Sequence, residues 1–211
     1  MGAIKSQQTA LRVSTAELSA KTITGITAAN PPVVSSTSHG LTAGTIVVLT
    51  GIVGMVELND RAFVVANPLS GTFELKGIDA TGYTAYGSGG SATPQTMTEV
   101  GSITGISGFD GEASEADSTT LRSTAKEFLT GLQDFGTVSL NLNLVTDTGQ
   151  ARLRKLKGSA TVGAFSITLS DGTVSAFRAL VMSSPFNVAG PDSIVTGSAK
   201  LRVTGEPAWF A

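Results

Sequence analysis

Between residues 136 and 144 the chain alternates, with Val138, Leu140, Leu142 and Leu144 set against Ser139, Asn141 and Asn143. Strict alternation marks a strand with one buried face. The run QTALRVST (8–15) predicts an earlier strand. Short apolar runs at 22–27, 32–36, 45–51, 62–67 and 72–77 follow, separated by turn residues. Strands at such close spacing predict a small β-sandwich or barrel. Residues 96–108 predict a strand with a turn, 164–184 a hairpin turning at Asp171-Gly172, and 193–207 a last strand. Only 146–160 has helical spacing, with Leu153 and Leu156 inward, Asp147 or Thr148 as N-cap and Gly158 as C-cap.

The segment 114–136, SEADSTTLRSTAKEFLTGLQDFG, breaks this pattern. Thr119, Thr120, Thr124 and Thr130 weaken it as a helix. Leu121, Phe128, Leu129 and Leu132 are too few for a core strand. Yet Phe128 and Phe135 are residues that disordered segments tend to lack. An ordered arm in search of a surface is the expectation.

Texture divides the chain. Residues 96–207 predict a sheet with one helix that lacks an opening strand, and 8–15 can supply it. The economical organisation is one domain of 1–20 and 95–211, interrupted by a small β-domain over 21–94. GSGGSATP (87–94) reads as a flexible linker closing that insertion. The ends of the insertion, near Lys21 and Pro94, should lie close together.

Composition agrees with a β-rich chain: 28 Thr, 23 Ser and 25 Gly among 211 residues favour pleated surfaces and turns. The net charge of −2 gives no global case for nucleic-acid binding. With no cysteine, disulfides, thiolate catalysis and thiolate metal sites are excluded together. No apolar run is long enough to span a membrane, and MGAIKSQQTA lacks the apolar run of a signal peptide.

Catalytic candidates are thin. His39, the single histidine, reads as a turn residue in SHGL. Ser123 and Lys126 fit S-x-x-K, but the S-D-N and K-T-G that this chemistry requires do not occur. Asp110, Glu112, Glu115 and Asp117 fail the spacing of a calcium loop and read as a solvated acidic face. Arg152, Arg154, Lys155 and Lys157 read as a solvated helix face or one side of a subunit salt bridge, and phosphate contact is the third reading. Trp209 and Phe210 form an apolar end that a neighbouring subunit could cover. No cofactor is expected.

Several stretches together resemble the major tail tube proteins of bacteriophages with long, non-contractile tails. They are EVGSITGISG (99–108), DSTTLRSTAKEFLTGLQDFGTVSLNLNL (117–144), SDGTVSAFRALVMS (170–183) and LRVTGEP (201–207), in the expected order. The segment 23–90 resembles the small β-module of phage structural proteins that is likened to the first catalytic-cysteine half-domain of ubiquitin-activating enzymes. His39-Gly40-Leu41, Gly51, Leu58-Asn59, Phe73 and Tyr83 carry that likeness, while Thr45 and Asp60 depart from it. Fold likeness does not carry enzyme function, and there is no cysteine.

The resemblance implies a non-enzymatic virion protein made in the bacterial host cytoplasm, mainly β, a tail-tube β-sandwich or barrel with one short helix. It implies six-membered rings stacked into a hollow tube, with the tape measure protein and genomic DNA passing in the lumen and with tail terminator and tail tip proteins at the ends. The arm would reach neighbouring subunits through Asp117, Leu121, Phe128, Leu129, Leu132 and Phe135. Ser139, Asn141 and Asn143 would face the lumen, and Trp209 and Phe210 would make a C-terminal contact. A lumen should avoid basic residues, because each cation adds affinity for phosphate, so the basic helix face belongs elsewhere. The inserted domain would project from the outer wall and either make weak, multivalent contact with a host surface or only decorate the tube, so replacing 22–93 by a Gly/Ser linker would leave assembly intact. Three other readings stand beside this one: a different virion structural protein, an adhesin or carbohydrate-binding β-protein, which would want aromatic platforms, and a hydrolase using Ser123 and Lys126 or a carboxylate pair.

Overall fold

The computed structural model describes residues 3–109 and 111–209. In chain order, strands β1 (Ala10–Glu17), β2 (Lys21–Thr22), β3 (Gly25–Ile26), β4 (Val33–Ser35) and β5 (Ile46–Val53) come first. A 3-10 turn at Val56–Leu58 precedes β6 (Arg61–Ala66), β7 (Thr72–Leu75), β8 (Ser88–Glu99) and β9 (Ile103–Ser107). Next come β10 (Ala113–Asp117), β11 (Phe128–Gln133), β12 (Thr137–Asn143) and helix α1 (Thr148–Ser159). The chain ends in β13 (Gly163–Thr168), β14 (Val174–Ser183), β15 (Phe186–Asn187) and β16 (Thr196–Ala208).

One sheet path runs β3-β4-β7-β6-β5-β8-β1-β13-β14-β16-β12-β9, and β10 and β11 pair separately. The fold is mainly β with one helix, and the sheets do not close into a barrel. Two buried clusters fill it. One holds Phe63, Phe73, Val47, Leu49 and Leu75 among the strands before β8. The other holds Leu11, Val138, Leu140, Phe165 and Phe177 against Leu153 and Leu156 of α1. Paired strand positions share a face, so Ala164 and Arg178 lie on the side of the sheet opposite Phe165 and Phe177. On that side Ala164, Ala176 and Ala208 join the first cluster.

The expected linker is instead the first half of β8. Residues 88–94 pair with β5, and 95–99 pair with β1, so a single strand crosses from one cluster to the other. The glycines serve close approach rather than flexibility. Gly89 and Gly90 have φ of 73° and 93°, and a Cβ on Gly90 would stand 2.7 Å from the Ile52 side chain. Pro94 falls at the crossover, where its carbonyl accepts from the Leu18 amide at 2.9 Å. Lys21 pairs with Ala92, which brings the entry and exit of the 21–94 segment side by side.

Helix α1 starts at Asp147, whose side chain accepts from the Gln150 amide at 2.8 Å. Its C-cap is Ala160 in the left-handed region, not Gly158. The helix runs on through Gly158 because Leu156 is buried and the Ala160 amide closes the last turn onto Leu156 and Lys157. On β12, Val138, Leu140 and Leu142 are buried as the alternation predicts, but Leu144 lies beyond the strand and is exposed.

Candidate assembly surfaces

The arm is an antiparallel hairpin. Asp117 pairs with Phe128, Ala116 with Leu129 and Glu115 with Thr130, and a bulge follows towards Ala113 and Gln133. The threonines that disfavour a helix suit this strand and turn. The Thr119 hydroxyl accepts from the Glu127 amide at 3.1 Å, and the Ser123 hydroxyl accepts from the Thr120 amide at 3.0 Å. Both strands are solvent-exposed along their whole length. Leu121 is 108% exposed, Leu132 90%, Leu129 63% and Phe128 53%. Phe128 and Thr130 fall on one face and Leu129 on the other, so both faces present apolar side chains, and Leu132 lies within the bulge. Phe135 differs: it is half-buried and packs against its own chain's second cluster.

Charge fixes the hairpin's ends. Lys126 Nζ lies 3.0 Å from Asp117 Oδ2 and 5.9 Å from the Phe128 ring centroid. Hydrogen bonds from Thr119, then Lys126, hold the Asp117 carboxyl below its ordinary range. At the hairpin's base Arg202 donates to Asp134. The Gly136 amide, ahead of the Arg202 charge, lowers that carboxyl too. These contacts also separate the serine–lysine pair: the Ser123 hydroxyl is engaged with Thr120, and Lys126 with Asp117. Glu112 and Glu115 are exposed, while Asp110 lies outside the described residues.

Asn141 is exposed, and Ser139 and Asn143 half-buried, on the face of β12 turned away from the core. That face is not free of cations. Ser139 pairs with Lys200 and Thr137 with Arg202, both exposed, so two basic side chains share it. Arg202 is bound to Asp134. Strand alternation places Lys200 and Arg202 there once Ala199, Leu201 and Val203 are buried. The basic side chains of α1 belong to the other face of the sheet, with Leu153 and Leu156. Arg152 is partly buried and donates to the Ser14 carbonyl at 2.8 Å, while Arg154, Lys155 and Lys157 are exposed.

Trp209 is half-exposed and meets Phe109 edge-on at 5.1 Å, and Phe109 in turn meets Phe177 at 5.2 Å. Phe210 lies outside the described residues. A groove of about 530 Å³ separates β9 from the N-terminal segment, between Ile103, Ile106, Ile4 and Leu169.

Sequence reasoning passed over two features. The first is the stretch 184–195, where Phe186, Val188 and Ile194 are exposed beside Met182 and Leu144. Apolar residues in a turn-rich stretch, SPFNVAGPDSIV, were the available signal. The second is Arg61, only 6% exposed. Its guanidinium donates to the carbonyls of Glu206 (3.1 Å) and Glu57 (3.0 Å) and to the Tyr83 hydroxyl (3.2 Å), and it pairs with the Glu206 carboxylate at 3.0 Å. Arg178 reaches Asp60 at 3.3 Å beside it. Nothing in the local sequence announces that latch.

His39 is buried. Its Nδ1 accepts from the Leu41 amide at 3.0 Å, its Nε2 lies 3.2 Å from the Thr72 carbonyl, and its ring meets Phe73 edge-on. Asn59 braces Ile52 by accepting from its amide at 2.9 Å and donating to its carbonyl at 2.8 Å. These residues hold turns of the segment. Among the described residues, no cluster of three or more His, Cys, Asp or Glu side chains could hold a metal, and no helix is long and apolar enough to cross a membrane.

On this mainly β scaffold the hairpin and the 184–195 loop carry many of the exposed large apolar side chains. Residues 78–176, just under half of the chain, match the family described as phage tail tube, TTP, lambda-like. Residues 31–95 match the ubiquitin-activating enzyme E1 FCCH domain, a non-catalytic module. The tail tube family is structural rather than enzymatic and implies a place in the virion. No curated protein matches the chain.

Proposed function

We propose that this chain polymerises into stacked six-membered rings forming a hollow tail tube through which the phage genome leaves the capsid. The observation that carries the reading is the exposed apolar hairpin lying inside the segment that matches the tail tube family. A two-stranded hairpin alone is at best marginally stable in water. One that turns apolar side chains outward on both faces gains its stability from other chains. The tube domain is 1–20 with 95–211, and 21–94 is an inserted module on the outer wall. Leu121, Phe128, Leu129 and Leu132 anchor the arm in its neighbours, with Asp117 pinning its turn. Phe135 holds the arm's root. Ser139, Asn141 and Asn143 face the bore, and Arg202 is neutralised there by Asp134, which leaves Lys200 as the cation that DNA would meet. Trp209 is covered by an adjacent subunit. The tape measure protein occupies the lumen before DNA does, and terminator and tip proteins cap the ends. The module either contacts a host surface weakly in many copies or only decorates the tube.

Sedimentation velocity across a concentration series tests this reading. The expected result is monomer passing to species of six subunits and multiples of six. A monomer unchanged at high concentration would contradict it.

A further inference from the structure

The 21–94 segment carries a pocket of its own. It lies beside the turn that joins β6 to β7, has a volume of about 330 Å³, and its lining includes Val33, Asn67, Pro68, Leu69, Thr72 and Glu74. Val33 pairs with Glu74 across β4 and β7, so their side chains share a face. Val34 and Phe73, which alternate with them, are fully buried, so that face is the one turned away from the core. The turn is held in shape. The Leu69 amide donates to the Thr72 carbonyl at 2.8 Å, the Gly71 carbonyl accepts from the Ser36 amide at 2.9 Å, and His39 Nε2 stands 3.2 Å from the Thr72 carbonyl. Asn67 has φ of 43°, and its Nδ2 donates to Glu74 Oε2 at 2.7 Å. That bond sets an amide beside a carboxylate whose second oxygen, like the Thr72 hydroxyl, has no partner among the described residues. Val33, Pro68 and Leu69 make the rest apolar, and Leu69 is largely exposed. Among the described residues no lysine or arginine lines the pocket.

We infer that this pocket takes a neutral saccharide unit. A sugar ring presents an apolar face of C–H groups and a rim of hydroxyls that both donate and accept. Val33, Pro68 and Leu69 suit the face, and the Asn67 amide, the Glu74 carboxylate and the Thr72 hydroxyl suit the rim. The carboxylate has no cation lining the pocket to balance it, so acidic sugars are repelled. No aromatic platform is offered, because Phe73 is fully buried, and a single site therefore holds its ligand only in the millimolar range. Repetition of the module along a tube turns weak sites into avidity. The inference rests on the reading of 21–94 as an outer-wall module and adds to it the site and the class of ligand.

Saturation-transfer difference NMR on the full chain tests the site, with the methyl glycosides of glucose, galactose, mannose, N-acetylglucosamine and glucuronic acid as probes. At least one neutral glycoside should show transfer to its ring protons, and the glucuronide should show none. Asn67→Gly, which keeps the left-handed backbone accessible, and Glu74→Ala should each weaken that binding about tenfold or more, with the fold retained in the amide spectrum. Leu121→Ala on the hairpin should leave it unchanged. Silence from every neutral glycoside, equal transfer to the glucuronide, or binding that survives both pocket substitutions would overturn the inference. Any of those results in a protein that still forms tubes by microscopy would leave the tube reading intact. Sugar binding at this pocket by a chain that never assembles would overturn the tube reading and leave the site.

Discussion

Arg61 shares its guanidinium among Glu57, Tyr83 and Glu206, over the Phe63 ring. Removing a buried donor leaves its acceptors without partners, and bonds to charged groups are the costly ones. Arg61→Ala should lower unfolding free energy by about 2–4 kcal/mol, measured by urea denaturation. Glu206→Ala should cost about 1 kcal/mol or less, because that carboxylate is half-exposed and screened and the backbone carbonyl contact survives. Equal losses would mean the ion pair, not the buried guanidinium, holds the junction. On the arm the order reverses. Phe128→Ala should change monomer stability by about 0.5 kcal/mol or less yet weaken polymerisation, since its side chain has no core to leave. Matching losses in both would place Phe128 in the subunit's own packing.

At the scale of elements, the hairpin depends on two carboxylates held ionised by their neighbours. The Asp117 and Asp134 carboxyls lie below their ordinary value of 3.8 in the folded hairpin. A lowered folded value means that the unfolded form binds protons first as pH falls. Their contribution is therefore complete well above pH 3.8 and is lost as pH drops below it through the lowered values. Hydrogen exchange, corrected for intrinsic rate, should show protection of hairpin amides at pH 6 decreasing by pH 3 while that of β12–β16 persists. Equal loss in both would refer the effect to global acid unfolding. Legibility in the sequence followed the same physics. Strands β5, β6, β7, β12, β13 and β14 were readable because alternation, apolar runs and a D-G turn are local signals. The hairpin was readable as an anomaly but not as strands, because its apolar residues face no core and so break the period. Strand β8 was misread because Gly and Ser in GSGGSATP signal flexibility locally, whereas the close approach that requires them comes from β5, about 40 residues earlier in the chain. The apolar patch at Phe186 and the Arg61 latch exist only once distant segments meet.

For the whole molecule, the junction bears on how separable the 21–94 segment is. Continuous β8, the Arg61 latch and the packing of Ala164, Ala176 and Ala208 into the first cluster join it to the rest. Replacing 22–93 by a Gly/Ser linker removes half of β8 and uncovers those alanines. A clean deletion, expected from the sequence, is therefore not expected from the structure. The melting temperature should fall by about 5 °C or more, in differential scanning calorimetry, before any effect on assembly is read. A deletion variant as stable as the parent would show the segment to be an independent ornament after all. The central claim is assembly itself, and electron microscopy of the purified, concentrated protein tests it most directly. The account predicts hollow tubes of uniform diameter built from stacked rings of six, with projections on the outer wall. A field of dispersed monomers at high concentration, or solid fibrils without a bore, would contradict it.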